Sequence, residues 1–315
     1  MYDLRGGFHI TIGWHVHGVS FGWLQVTVVG YKNVSRFTIV IFNVWAFTMK
    51  AEQIRVAGLQ IDQVEGNRQA NLEAAIEAID SAEPHNIYVL PELSSSGYSP
   101  QVFQALDELA EELEGPSYRA FGEVARKKDC CICYSFPRRV ARNQFTICTA
   151  VVDSRGELAA YYDKLHVCST GVCCEKDYFV AGRGPLGSFE VKGAKIGLAI
   201  CYDIRFPEMI RKLALEEHIV LLLHPGGWPK DEGFFSWHIF VQTRAMENQI
   251  YIMSTNWAGT DNGRSAFCPP FVDGKGSTIE TLGDSPGVLS GIVDLNYLQE
   301  VRKKYPYRTD RSDFY

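Results

Sequence analysis

Three things are scarce in this sequence: long apolar runs, clustered basic charge and a paired cysteine framework. A bilayer-spanning helix needs about 18 or more continuous apolar residues. The uncharged stretch from Gly6 to Tyr31 is interrupted by glycines, His9, His15, His17 and Gln25, and the apolar run from Phe37 to Met49 covers only 13 residues. No membrane segment is expected. A net charge of -6, from 31 Lys and Arg against 37 Asp and Glu, argues against a broad nucleic-acid surface, which needs basic side chains gathered on one face. The nine cysteines are odd in number, and most sit in or beside apolar, strand-like stretches. That excludes the loop-rich, disulfide-stapled class and fits a reducing, cytoplasmic compartment. No internal repeat, low-complexity tract or interdomain linker is visible. What is present is 46% apolar and 22% charged residues over 315 positions, enough for a sizeable core.

The first 48 residues differ in kind from the rest. They hold ten of the 39 aromatic residues and only four charges, Asp3, Arg5, Lys32 and Arg36. Residues 1–48 are therefore expected to be an atypical extension outside the fold, and residues 49–315 to form the domain. A signal peptide fits poorly, because Lys32 and Arg36 lie far from the N-terminus and no convincing cleavage site follows the apolar run. Gly18-Val-Ser20-Phe-Gly22 matches the G-x-S-x-G pattern of serine hydrolases, which needs a strand before the serine and a helix after it. The residues after Ser20 form a β-type run, so the match is set aside.

From Ile54 onward, short apolar runs alternate with helical patterns, the spacing of a layered α/β domain. Strands are expected at 54–60, 87–90, 130–136, 145–152, 159–162, 188–191, 195–200, 219–223 and 250–255. Helices are expected at 67–82, 102–113, 116–128, 207–217 and 234–248. Further strands at 267–272, 277–282 and 287–293 precede a charged tail.

Three reactive side chains follow apolar strands directly: Glu92 after Ile87–Pro91, Lys164 after Ala160–Asp163, and Cys201 after Lys195–Ile200. Layered α/β proteins place ligands at the carboxyl ends of strands. Each residue alone has a bland alternative: packing for the cysteine, a solvated turn for the glutamate, a surface charge for the lysine. Their coincidence at equivalent strand ends points to a site. Cys130 and Cys133 form a C-x-x-C, whose redox reading competes with that of a buried strand. His166, His224 and His238 lack metal-ligand spacing and are expected to be structural, with no metal site.

Leu90-Pro-Glu92-Leu, Tyr162-Asp-Lys164-Leu-His166, Glu175-Lys-Asp-Tyr-Phe and Ile200-Cys201-Tyr-Asp-Ile-Arg205-Phe-Pro-Glu208, in that order, resemble the blocks of the carbon–nitrogen hydrolases of the nitrilase superfamily. The resemblance runs from about Gln53 to Tyr315. It implies a four-layer αββα sandwich that pairs into a dimer, an α/β fold with no cofactor. It also implies Cys201 as nucleophile, Glu92 as general base and Lys164, with the backbone N–H of Tyr202, as oxyanion stabiliser. Glu175 matches a second glutamate that positions the lysine; its alternative is a loop ion pair with Lys176 or Arg183. Asp203, Arg205 and Glu208 read as a structural charge network at a helix start.

The segment from Trp237 to Tyr251 and the ending Arg311–Tyr315 resemble the omega-amidase-like branch, whose substrates are small amides bearing a carboxylate. The loop between Lys164 and Glu175 is short for that branch and closer in length to the N-carbamoyl-amine hydrolases. The substrate is thus expected to be a small linear amide, with a carbamoyl amine as alternative. A catalytically silent binding or scaffold relative is the reading from another class. Tyr202, Trp228 and Asn256 are expected to line the pocket, Trp228 doubling as a core aromatic. Cys173 and Cys174 lie beside the expected site.

Overall fold

The computed structural model describes residues 8–16, 19–28, 53–170, 174–273 and 275–312, the first two segments by backbone alone. The chain divides into two compact units, Met1–Ala51 and Glu52–Tyr315. In the first, β1 (Phe8–Val16) and β2 (Val19–Val28) pair as an antiparallel hairpin. Ser20 stands inside β2, so a strand follows it where a serine-hydrolase motif needs a helix. The other expectations for residues 1–48 fall outside the described residues.

The second unit begins with β3 (Gln53–Gln60), α1 (Arg68–Ser81), β4 (Ile87–Val89), two short helices α2 (Pro100–Gln104) and α3 (Leu106–Leu109), and α4 (Pro116–Lys128). A meander of β5 (Cys131–Ala141), β6 (Gln144–Val152) and β7 (Leu158–Asp163) follows. Next come β8 (Ser188–Val191), β9 (Ala194–Leu198), α5 (Pro207–Leu215), β10 (Leu221–Pro225), α6 (Phe234–Asn248) and β11 (Tyr251–Thr255). The chain ends with β12 (Ala266–Cys268), β13 (Glu280–Thr281), β14 (Gly287–Asp294) and α7 (Leu295–Lys304).

These strands form two six-stranded sheets, ordered β14-β3-β4-β5-β6-β7 and β8-β9-β10-β11-β12-β13. Read from β14 and from β8, both show the same succession of pairings: antiparallel, parallel, parallel, antiparallel, antiparallel. No periodicity in the sequence announces this repeat of topology. Alternation along the strands assigns the faces. In the first sheet Tyr88, Leu90, Ile132 and Tyr134 pack with Leu72 and Ile79 of α1 and Phe121 of α4, while Val56, Ile87, Val89 and Cys133 join the core shared with the second sheet. That sheet's far side is covered by α5 and α6, giving the αββα sandwich. The sheets approach closely where Gly58 faces Met253: a β-carbon there would lie 2.7 Å from the Met253 sulfur.

Some elements differ from expectation for identifiable reasons. The helix expected at 102–113 is two short ones, because the chain leaves helical geometry to lay Glu111 beside β5, its N–H donating to Pro137 (2.8 Å) and its carbonyl accepting from Arg139 (2.9 Å). The buried Glu111 carboxylate then accepts from the backbone N–H and hydroxyl of Ser117 in the first turn of α4, each at 2.7 Å, and from Arg68. The strand expected at 267–272 stops at Cys268, since Pro269 and Pro270 cannot donate to a ladder. The expected charged tail is α7, whose Asp294 cap accepts from the N–H groups of Asn296 and Tyr297 and whose last turn carries Arg302, Lys303 and Lys304, charges that suit a helix C-terminus.

Cys130 belongs to the cluster under α1 and α4, while Cys133 belongs to the intersheet core. Residues three apart on a strand point to opposite faces, so the C-x-x-C cannot close as a redox pair. Burial also pushes the Cys130 thiol up to about 12, which keeps it protonated. Among the described residues, no helix is long and apolar enough to cross a membrane.

Candidate active site

The segments that follow three strands converge. Beyond β4, the backbone N–H of Glu92 donates to the carbonyl of Gly226 after β10 (3.1 Å), and Trp257 Nε1 after β11 donates to the Glu92 carbonyl (3.0 Å). Thr255 Oγ1 donates to the Leu90 carbonyl (3.0 Å). The two sheets are thus stitched together around Glu92. Lys164 directly follows β7, its N–H donating to Ile147 (2.8 Å) and its carbonyl accepting from Gly182 (2.8 Å).

Cys201 opens a 3-10 turn, Cys201–Arg205, between β9 and α5, with φ of +44°. A non-glycine residue rarely occupies that left-handed region, and surrounding structure must hold it there. Asp203 supplies part of the hold. Its buried carboxylate accepts from the Ile200 N–H (3.0 Å) and Tyr162 hydroxyl (3.0 Å) on one oxygen, and from the His166 N–H (3.0 Å) on the other, with His166 Nδ1 at 2.7 Å. Asp203 therefore ties the Cys201 turn to the Lys164 segment, in place of the expected charge network with Arg205 and Glu208.

Glu92, Lys164 and Glu175 are fully buried and in contact. Lys164 Nζ lies 2.7 Å from Glu92 Oε1 and 2.7 and 2.8 Å from the two oxygens of Glu175. Glu175 also accepts from the Tyr98 hydroxyl (2.6 Å) and the Cys168 backbone N–H (2.8 Å). It is no loop ion pair with Lys176 or Arg183. The second oxygen of Glu92, Oε2, has no hydrogen-bond partner among the described residues.

The electrostatics follow from two carboxylates and one ammonium in a dry site. Burial raises the Glu92 carboxyl to about 7; the Lys164 ammonium opposes this and Glu175 adds to it. For Lys164 burial acts downward, but Glu175 and Glu92 outweigh it and hold the ammonium well above its ordinary value. Burial and the Glu92 charge push the Cys201 thiol up, against Lys164 and the Gly227 backbone N–H, so the resting sulfur is a thiol.

Around this centre the expected pocket residues divide. Trp228 is buried, stacks on Trp237 at 5.5 Å between centroids, and leaves Nε1 without a partner among the described residues. Asn256 is engaged by neighbouring backbone. Its Oδ1 accepts from the Trp228 N–H (2.8 Å), and its two amide hydrogens go to the carbonyls of Trp228 and Gly263 (2.9 Å each). With both donors spent on backbone, it fixes the loop that carries Trp228. Tyr202 is half-buried against Phe206. Cys174 is half-buried and directly precedes Glu175; Cys173 lies outside the described residues. Two surface cavities, of about 570 and 490 Å³, are lined by other residues. Among the described residues no group of three or more His, Cys, Asp or Glu is placed to hold a metal ion.

Sequence reasoning missed two contributors, Tyr98 and Arg205, and did not single out Gly227 within the segment His224–Trp228 that it expected to line the pocket. Tyr98 reaches the site because Gly97 turns the chain at φ +83°. Gly227 packs so closely that a β-carbon would lie 3.3 Å from both Glu92 Oε2 and the Tyr98 ring. Arg205, assigned to a charge network, instead holds its guanidinium over the rings of Phe240 (5.0 Å), Trp228 (5.2 Å) and Tyr202 (5.8 Å), with Nε buried and unpartnered among the described residues. Its position four residues after Cys201, one tight turn away, was the available signal.

A family model described as carbon-nitrogen hydrolase matches residues 55–303. The 2-oxoglutaramate amidase of Bacillus subtilis is 31% identical over 264 residues, covering 82% of this chain and 98% of the relative. The omega-amidase of Homo sapiens is 28% identical over 284 residues, covering 86% and 97%. Among solved structures, a cysteine-to-alanine variant of the amidase from Nesterenkonia sp. AN1 in complex with butyramide superposes with a TM-score of 0.67 at 27% identity, covering 81% of this chain and 96% of that one. Another variant of that amidase carries the acetamide moiety of fluoroacetamide covalently added at its active-site cysteine.

Proposed function

Because the chain belongs to the carbon–nitrogen hydrolase family and is an amide-hydrolysing enzyme, we propose that it cleaves small linear amides bearing a carboxylate, through a thioester on Cys201. The carrying observation is the buried Glu92–Lys164–Glu175 cluster, one negative charge in excess, beside a cysteine held at positive φ. In this reading Glu92 Oε2 takes the thiol proton as Sγ attacks the amide carbon. Protonation of Glu92 weakens its grip on Lys164 as negative charge builds on the substrate oxygen. A Lys164 N–H then turns to that oxyanion, joined by the N–H of Tyr202, so the interaction is strongest in the transition state. Glu175, saturated by Lys164, Tyr98 and Cys168, keeps the ammonium in place. Glu92 gives its proton to departing ammonia and next activates the water that cleaves the thioester.

The carboxylate preference rests on Arg205. Its guanidinium has aromatic neighbours but no carboxylate partner among the described residues, which suits it to a substrate anion. The omega-amidase and 2-oxoglutaramate amidase relatives support the same class. Homodimer formation is supported by Phe235 and Ile239, one turn apart on α6 and 84% and 63% exposed.

Ammonia release from simple amides, omega-amides, N-carbamoyl amines and nitriles tests the reading, using residues 49–315 beside their Cys201→Ala variant. Release confined to carboxylate-bearing amides and lost in Cys201→Ala is expected. Release from carbamoyl amines alone would transfer the mechanism to that class, and retained hydrolysis in Cys201→Ala would overturn it.

A further inference from the structure

A single file of hydrogen bonds runs through the second sheet to the nucleophile. Trp237 Nε1 on α6 lies 2.9 Å from Ser254 Oγ on β11, Ser254 Oγ lies 2.7 Å from His224 Nδ1 on β10, and His224 Nε2 lies 2.9 Å from the backbone carbonyl of Cys201. All three side chains are fully buried, and His224 and Ser254 are register partners of the parallel pair β10 and β11. The ends of the file fix its direction. An indole nitrogen only donates and a carbonyl only accepts, so Ser254 receives from Trp237 and donates to Nδ1, and His224 must carry its proton on Nε2. Burial lowers the imidazole to about 4, which keeps this neutral tautomer at ordinary pH.

The carbonyl of Cys201 and the N–H of Tyr202 belong to one planar peptide group and point in opposite directions. We propose that His224 is a positioning residue for the oxyanion site: by gripping the Cys201 carbonyl it aims the Tyr202 N–H at the reacting carbon's oxygen. The same grip polarises the peptide and strengthens that N–H as a donor. It also opposes relaxation of Cys201 from its left-handed backbone. This rests on the proposed thioester mechanism and adds to it a residue that touches neither substrate nor sulfur.

The test compares a reaction that builds an oxyanion with one that does not. Reversible addition of succinic semialdehyde to Cys201 forms an S–C bond while the aldehyde oxygen gains negative charge and then the thiol proton. Alkylation by iodoacetamide forms an S–C bond, expels iodide and passes the thiol proton to Glu92, and its reacting carbon carries no carbonyl oxygen. His224→Leu is expected to weaken semialdehyde binding by ~10–100-fold and to lower kcat for succinamate equally, with KM within about threefold and alkylation within about threefold of the parent. His224→Gln, whose amide nitrogen stands near the place of Nε2, should recover most of the loss. Equal losses in alkylation and aldehyde addition would overturn the proposal, as would unchanged aldehyde binding or a folded Gln variant no better than Leu. If the Leu variant fails to fold, Ser254→Ala, which removes only the donor to Nδ1, should show the same split at about 3–10-fold. If the parent protein does not hydrolyse succinamate, the substrate reading fails on its own and the aldehyde constants decide the role of His224.

Discussion

The two sheets share one order of pairings yet bring opposite chemistry to the place where they meet. The first contributes charge: Glu92 beyond β4 and Lys164 at the end of β7, buried and joined by Glu175 in a cluster where nearly every polar atom is satisfied. The second contributes a strained cysteine, the proposed nucleophile, and a partly unsatisfied wall, with Cys201 at positive φ and Trp228 Nε1 and Arg205 Nε unpartnered among the described residues. A satisfied cluster is part of what holds the fold. An unsatisfied wall is available to a ligand. On the proposed reading, the same topology serves stability on one side and recognition on the other.

The strongest test of that contrast removes one charge from the first half. Lys164→Met leaves two buried carboxylates facing each other and should abolish hydrolysis while lowering stability by ~3–5 kcal/mol in denaturant titrations. Cys201→Ala, its counterpart in the second half, should abolish hydrolysis equally with a stability change within about 1 kcal/mol. Similar stability losses in both would erase the distinction.

A smaller effect concerns pH. In the proposed mechanism Glu92 must be ionised to accept the thiol proton, so activity should rise with pH through an apparent pKa near 7 that belongs to the coupled cluster. The sign for stability is the reverse. A carboxyl whose pKa is raised on folding binds more protons folded than unfolded, so its contribution is full below the unfolded value of 4.5 and declines as pH rises through about 7. Glu92→Gln should be inactive, and its gain in Tm over the parent should be larger at pH 8 than at pH 5. An equal gain at both would place the titration elsewhere.

The smallest predicted effect belongs to the recognition wall. Arg205→Leu should lower kcat/KM for carboxylate-bearing amides by about 10–100-fold, the size of a charge-assisted hydrogen bond, and change uncharged amides by less than about threefold. Equal losses on both classes would make Arg205 a packing residue.

Much of this arrangement was legible in the residues. Glu92, Lys164 and Cys201 each follow an apolar run, and strand ends are where layered folds gather function. The aromatic packing of Trp228 was also legible, and the structure stacks it on Trp237. The backbone partners of Asn256 were not legible, because whether an amide faces a ligand or a neighbouring backbone depends on which loop folds over it. Arg205 and His224 were assigned bland roles for a related reason: their partners are Phe240, 35 residues away, and Ser254, 30 residues away, on elements whose proximity no local pattern encodes.

Strand and helix periods, the breaks at proline and glycine, and the order of the reactive residues were determined by the sequence alone, because they depend on neighbours within a few positions. The pairing of two equivalent sheets, the opposite faces of Cys130 and Cys133, the burial that lifts Glu92 toward neutrality and the donor file ending on Cys201 were decided only by the tertiary structure. Those properties arise from desolvation and from contacts between distant segments, and both come into being only when the layers close.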